Sequence, residues 1–159
     1  MKRFRVDEVF KDVLKCSAKV ISYSNVTVDS RSVINGSIFF AFKGEKTDGH
    51  LYLEQAFSKG AVCCVITDDK YFDDSKPMVL VKDVLGALKD LGKWNLEQFK
   101  GKRIVITGSV GKTSTKSIVS LVLSQKYKVY EAFKNFNNEL GIAIVSSNIN
   151  LDAEVAVFE

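Results

Sequence analysis

The chain has 159 residues, 46% hydrophobic and 26% charged, enough for one large domain or two small ones with a real core. No apolar run approaches the roughly 20 residues that cross a bilayer. Asp7 and Glu8 stand where a signal peptide needs its apolar region, so a cytoplasmic protein without membrane insertion is expected. The net charge of +4 and pI near 8.9 suit an anionic ligand, but the basic residues are dispersed and lack interleaved aromatics, which argues for a solvated surface and against nucleic acid.

In chain order, Phe4, Val6, Val9, Phe10, Val13 and Leu14 fall at mostly helical spacing and predict a short amphipathic helix over 4–14. Ile21 to Val28 and Ser37 to Phe42 read as strands, followed by a polar, glycine-bearing loop from Lys43 to His50. A helix is predicted from Leu51 to Ser58, with Leu51, Leu53, Ala56 and Phe57 in the core and Gly60 as its stop signal. Ala61 to Thr67 and Met78 to Val81 are further strands, and Asp68 to Pro77 between them is a surface loop. Cys63 and Cys64 belong to the first of these runs as small buried residues; with Cys16 they form no C-x-x-C pair, and neither zinc nor a disulfide framework is indicated.

Val84, Leu88, Leu91, Trp94 and Leu96 predict a helix over 84–99, despite Gly86 and Gly92, each costing about 1 kcal/mol against alanine. A domain junction is placed at Lys100-Gly101-Lys102, giving domains 1–99 and 100–159. The second segment alternates strand 104–107, helix 113–125, strand 128–131, helix 139–147 and strand 154–159. The fold class is therefore α/β: a small N-terminal α/β domain followed by a P-loop-type parallel sheet, with ligands at the carboxyl ends of its strands. Three strands make an incomplete sheet whose last strand reads as interior, so the chain is expected to be the front part of a longer protein.

The chemistry lies in Thr107-Gly108-Ser109-Val110-Gly111-Lys112-Thr113-Ser114, between an apolar strand and a helix. Glycines let backbone N–H groups converge on phosphate oxygens, and the helix start adds partial positive charge. Lys112 can reach the β- and γ-phosphates, and Thr113 can ligate Mg²⁺. The full P-loop consensus has a glycine where Ile106 stands, so this is a shortened variant. The alternative is a plain turn capped by Ser109.

Three blocks in this order resemble the Mur ligase family. They are Asp29-Ser30-Arg31-Ser32-Val33 with Gly36 to Glu45, Asp48-Gly49-His50, Ala56 and Gly60-Ala61; Thr107 to Thr115; and Asn135 to Ile142. The Ala-Phe-Lys-Gly-Glu and Asn-Asn-Glu-Leu-Gly stretches favour the branch that adds D-alanyl-D-alanine over the branch that adds the third amino acid. The resemblance implies an ATP- and Mg²⁺-dependent amide ligase of peptidoglycan synthesis, monomeric at full length, whose substrates are UDP-MurNAc-tripeptide and D-Ala-D-Ala. The γ-phosphate of ATP goes to the precursor's carboxylate, and the dipeptide amine attacks the acyl phosphate.

It further implies that Ser30, Arg31, Lys43, Gly44, Glu45, Asp48 and His50 line the UDP pocket, although His50 also reads as a structural hydrogen-bonding residue. Gly108, Ser109, Val110, Gly111, Lys112, Thr113 and Ser114 would cradle ATP, with Lys112 stabilising the transferred phosphoryl group. Asn137 and Asn138 match asparagines near the nucleotide and substrate carboxylate, or cap a helix. Thr113 and Glu159 match metal ligands, with a solvated last residue as the alternative for Glu159. The family's carbamylated lysine and C-terminal domain have no counterpart in these residues, so the chain alone is not expected to ligate. The other readings are a UDP-sugar binding module without catalysis and an unrelated P-loop NTPase or kinase.

Overall fold

Phe4 and Phe10 decide the shape of the first sixteen residues. Their rings meet edge to face at 5.5 Å, and they pack in the same manner on Tyr23 at 5.8 Å and Phe40 at 6.3 Å. The chain bends around this cluster as strand β1 (Lys2–Arg5), a single helical turn α1 (Val6–Val9) and strand β2 (Val13–Cys16). The continuous helix expected over 4–14 is not formed. Its apparent stripe joins core aromatics to Leu14, which is exposed, and β1 instead alternates buried and exposed residues.

The computed structural model describes residues 1–45, 47–133 and 138–159, which divide into two units, Met1–Leu91 and Gly92–Glu159. In the first unit the strand expected over 21–28 splits at Ser24, whose N–H bonds Gly36 O. The first piece, β3 (Val20–Tyr23), pairs antiparallel with β1; the second, β4 (Asn25–Thr27), joins a five-stranded sheet. That sheet also contains β5 (Ser37–Phe40), then, after helix α2 (Leu53–Ser58), β6 (Ala61–Ile66) and β7 (Met78–Val81). Its order is β2-β7-β6-β5-β4, parallel except for β2 at one edge.

The strands β5, β6 and β7 are almost wholly buried, as the apolar runs of a parallel sheet covered on both faces require. One face packs Phe39, Cys64, Ile66, Met78 and Leu80 against Leu53 and Ala56 of α2. Cys63 and Cys64 are fully buried, as expected. Leu51, expected in the core, is 67% exposed, because Gly49–Tyr52 forms a 3-10 turn and α2 begins only at Leu53.

Helix α3 (Val84–Gln98) begins in the first unit and ends in the second, so the division falls after Leu91; Lys100-Gly101 leads from α3 into β8 (Lys102–Val105). The second unit continues with α4 (Lys112–Ser124), β9 (Val129–Glu131), α5 (Glu139–Asn148) and β10 (Val155–Phe158). Its sheet is parallel with order β8-β10-β9, so the last strand is interior. Asn95 of α3, fully buried, donates to the carbonyls of Ser146 at 2.7 Å and Ile149 at 3.1 Å, capping the end of α5. Since all three strands run the same way, their carboxyl ends bring the 106–111 turn, Glu131-Ala132 and Glu159 to one edge. Among the described residues no helix is long and apolar enough to cross a membrane.

Candidate functional site

The turn after β8 is held open by its glycines. The Ile106 N–H continues the ladder to Phe158 O at 2.9 Å, and the chain then leaves the sheet. Gly111, at φ +79, takes the left-handed conformation at the N-cap of α4, where a side chain would be strained. The cap is thus Gly111 and not Ser109, and as a glycine it brings no side chain to the first turn of α4. A helix start of this kind offers its N–H groups and partial positive charge to an anion. The Lys112 ammonium folds back to donate to Gly108 O at 2.8 Å, which fixes the cation over the turn. The Thr113 hydroxyl donates to Glu159 Oε2 at 2.9 Å, so the two residues matched to metal ligands stand together across 46 positions of sequence.

One turn further along α4 lies a residue that the sequence reading passed over. Lys116 is 3% exposed; its ammonium donates to Ala132 O at 2.6 Å and lies 3.8 Å from Glu131 Oε1, which also accepts from Ser117 Oγ at 2.9 Å. Lysines four apart share a helix face, and the pair Lys112 and Lys116 signals that α4 turns its cationic side toward the carboxyl ends of β9 and β10. Asn138 is the N-cap of α5: its Oδ1 accepts from Gly141 N–H at 2.8 Å, the capping alternative foreseen for it. Asn137 lies outside the described residues.

In the first unit, the parallel strands β4, β5 and β6 lead into three 3-10 turns with a common device. Asp29, Asp48 and Asp68 each accept from the N–H two residues on, through a carboxylate oxygen. Beside the first two lies a cleft of about 550 Å³ whose wall includes Ser30, Arg31, Phe42, Gly44, Tyr52 and Gln55. Arg31 is held by Asp29 through Nε at 3.0 Å and Nη2 at 2.8 Å, and the carboxylate raises its already high pKa. Ser30 donates to Gln55 Oε1 at 2.8 Å. Sequence reasoning missed Gln55 and Tyr52, which carried no motif.

The remaining residues expected in the UDP pocket are placed differently. His50 is 2% exposed and turned into the fold. Its Nε2 accepts from Thr67 N–H at 3.1 Å, so Nδ1 carries the proton and donates to Asp48 at 2.6 Å, and the ring stacks on Tyr71. His50 and Asp48 form a structural tie between β5 and β6 and not the cleft wall. The tie explains Gly49: a Cβ there would stand 2.8 Å from Phe42 O. Lys43 and Glu45 are exposed on the rim loop, with Lys43 bridging Asp48 through the backbone.

A strand, a glycine turn and a helix with Lys-Thr at its start, on a parallel sheet, define an α/β protein of the P-loop class. Residues 22–106 match the family described as "Mur ligase family, catalytic domain", and residues 106–159 match "Mur ligase middle domain". The chain belongs to the Mur ligase family. The UDP-N-acetylmuramoyl-tripeptide–D-alanyl-D-alanine ligase of Rickettsia prowazekii is 35% identical over 87% of this chain and 31% of its own length. The ligase of the same name from Escherichia coli is 32% identical over 87% and 30%. Among solved structures, MurF from Acinetobacter baumannii aligns with a TM-score of 0.71 at 31% identity, covering 85% of this chain and 30% of that one. MurF from Thermotoga maritima in complex with ADP aligns at 0.68 and 30% identity, covering 85% and 31%. The chain therefore spans about three tenths of the length of these relatives.

Proposed function

We propose that this chain serves the reaction for which its relatives are named, the joining of D-Ala-D-Ala to UDP-MurNAc-tripeptide, driven by ATP. The observation that carries the reading is the meeting of Thr113 and Glu159 at the edge of a glycine turn that also holds Lys112. In this reaction the γ-phosphoryl group passes to a carboxylate oxygen of the tripeptide, leaving ADP and an acyl phosphate. The dipeptide amine attacks the acyl carbon, phosphate departs, and the amine proton goes to water. Such chemistry asks the protein chiefly for position and charge neutralisation.

The backbone from Gly108 to Ser114 binds the phosphates, and Lys112 exchanges the Gly108 carbonyl for phosphate oxygens, countering the charge on the group in transfer. The donor set fits magnesium: a hydroxyl and a carboxylate are hard oxygen ligands, and this ion completes its shell with water and phosphate oxygens. When bound, the ion would neutralise the phosphate oxygens between Thr113 and Glu159.

The cleft of the first unit takes the UDP portion. The Arg31 Nη1 that Asp29 leaves over is a donor suited to a diphosphate, and Tyr52 and Phe42 offer aromatic surface to a base. ATP and a UDP-linked precursor place the protein in the cytoplasm. Titration calorimetry of the chain with UDP-MurNAc-tripeptide should give saturable binding that UDP competes away, and titration with Mg-ADP should give binding that Lys112→Ala abolishes. A folded chain that binds neither overturns the proposal; one that binds only nucleotide favours a P-loop kinase.

A further inference from the structure

We infer that Gln55 of α2 and Lys59, which caps that helix four residues on, are positioning residues that hold the Asp29-Ser30-Arg31 turn in shape for a nucleoside diphosphate. The inference rests on the reading of the first unit's cleft as the UDP site. The turn Ser30–Ser32 is a single 3-10 turn, too short to be stable by itself. Its N–H groups go to Asp29: Arg31 N–H to the carboxylate at 2.9 Å and Ser32 N–H to the main-chain oxygen at 3.0 Å. Its other side is held from α2. Gln55 Oε1 accepts from Ser30 Oγ at 2.8 Å, while the Lys59 ammonium donates to Ser30 O at 3.2 Å and Arg31 O at 3.0 Å.

The two side chains reach the same turn because residues four apart share one face of a helix. Peptide planes pinned by N–H on one side and by C=O on the other cannot rotate, so the direction in which Arg31 leaves the backbone is fixed. That matters because the Arg31 side chain is 83% exposed and is held only by Asp29 of the same turn, so a turn of fixed shape presents the pair to the ligand already ordered. Lys59 adds charge as well, yet its ammonium donates to two backbone carbonyls, which marks it as a brace for the turn.

The test is UDP binding by the whole chain, measured by calorimetry, for Lys59→Met, Arg31→Ala and the double variant. Loss of the charged donor should weaken UDP about tenfold in Lys59→Met while the melting midpoint stays within a few degrees. If Lys59 acts through Arg31, the double variant should be no weaker than Arg31→Ala alone. Lys59→Arg, which can still reach both carbonyls, should stay within about threefold of the parent. UDP affinity unchanged in Lys59→Met, losses that simply add, or a Lys59→Arg variant as weak as Lys59→Met would each overturn the inference. A parent chain that fails to bind UDP would instead remove the reading of the cleft itself.

Discussion

Thr113 and Glu159 share a hydrogen bond of 2.9 Å although one begins a helix and the other follows a strand. The pairing of Val105 with Phe158 brings this about, because β8 and β10 then end level, one running into the glycine turn and the other into Glu159. Neither residue has a reason to meet the other in a sheet built only for stability. Under the proposed function, the pair would offer a hydroxyl and a carboxylate oxygen to a hard cation.

The pair should therefore control magnesium and not nucleotide as such. Glu159→Gln and Thr113→Val are each expected to weaken ADP about tenfold or more in the presence of Mg²⁺ and less than threefold in its absence. Calorimetric titrations in magnesium and in chelator check this. Equal losses under both conditions would reduce the contact to a structural bond.

Asp48 predicts an acid limb for the first unit. Burial pushes its carboxyl up, but the His50 N–H, the His50 ring and the Lys43 charge outweigh burial and hold it below the usual value of 3.8. A carboxyl whose pKa is lower folded than unfolded contributes stability that is full above about pH 4 and fades as the pH falls through the folded value. Asp48→Asn should thus be less stable than the parent at pH 7 by about 1 kcal/mol, the usual worth of such a cap, and the gap should narrow below pH 4. Urea unfolding followed by circular dichroism at pH 7, 5 and 3.5 measures the gap; a constant difference would contradict the linkage.

The three thiols should separate cleanly by rate. Cys16 is exposed, whereas burial pushes the Cys64 thiol up to about 12 and that of Cys63 well above its usual value. A thiol reagent at pH 8 should label one cysteine per native chain quickly and all three after denaturation. Fast labelling of two or three would mean that β6 is not closed on both faces.

The parallel sheets and the glycine turn before α4 were legible because β6, β7 and the run before Thr107 are continuous apolar stretches whose burial needs no partner to be known. The first fourteen residues were not. Phe4 and Phe10 satisfy helical spacing, and only their edge-to-face contacts with Tyr23 and Phe40 turn the chain into β1 and β2. His50 sits in the right motif, but its two ring bonds spend it on joining Asp48 to Thr67. Gln55 and Lys59 were invisible for a different reason: what they do lies 25 to 29 positions away, and no spacing rule reaches that far. Lys116 shares a helix face with Lys112, but only the fold shows that its ammonium is buried against the Ala132 carbonyl.

Asn95 shows the same lesson in the second unit, and it can be measured locally. Its amide donates to two carbonyls at the end of α5, Ile149 O and Ser146 O, the second of which also accepts from the Ile149 N–H. Asn95→Leu keeps the volume but takes the donor from Ile149 O and leaves Ser146 O only its long bond to the Ile149 N–H, which should cost about 1 kcal/mol. Because α5 is capped by Asn138 at its other end, the loss should appear as faster amide exchange in the last turn of α5 before it appears near Gly141. Hydrogen exchange read residue by residue distinguishes this from a general loosening. Exchange that accelerates evenly along α3, α5 and β10 would show that Asn95 supports the whole unit and not one helix end.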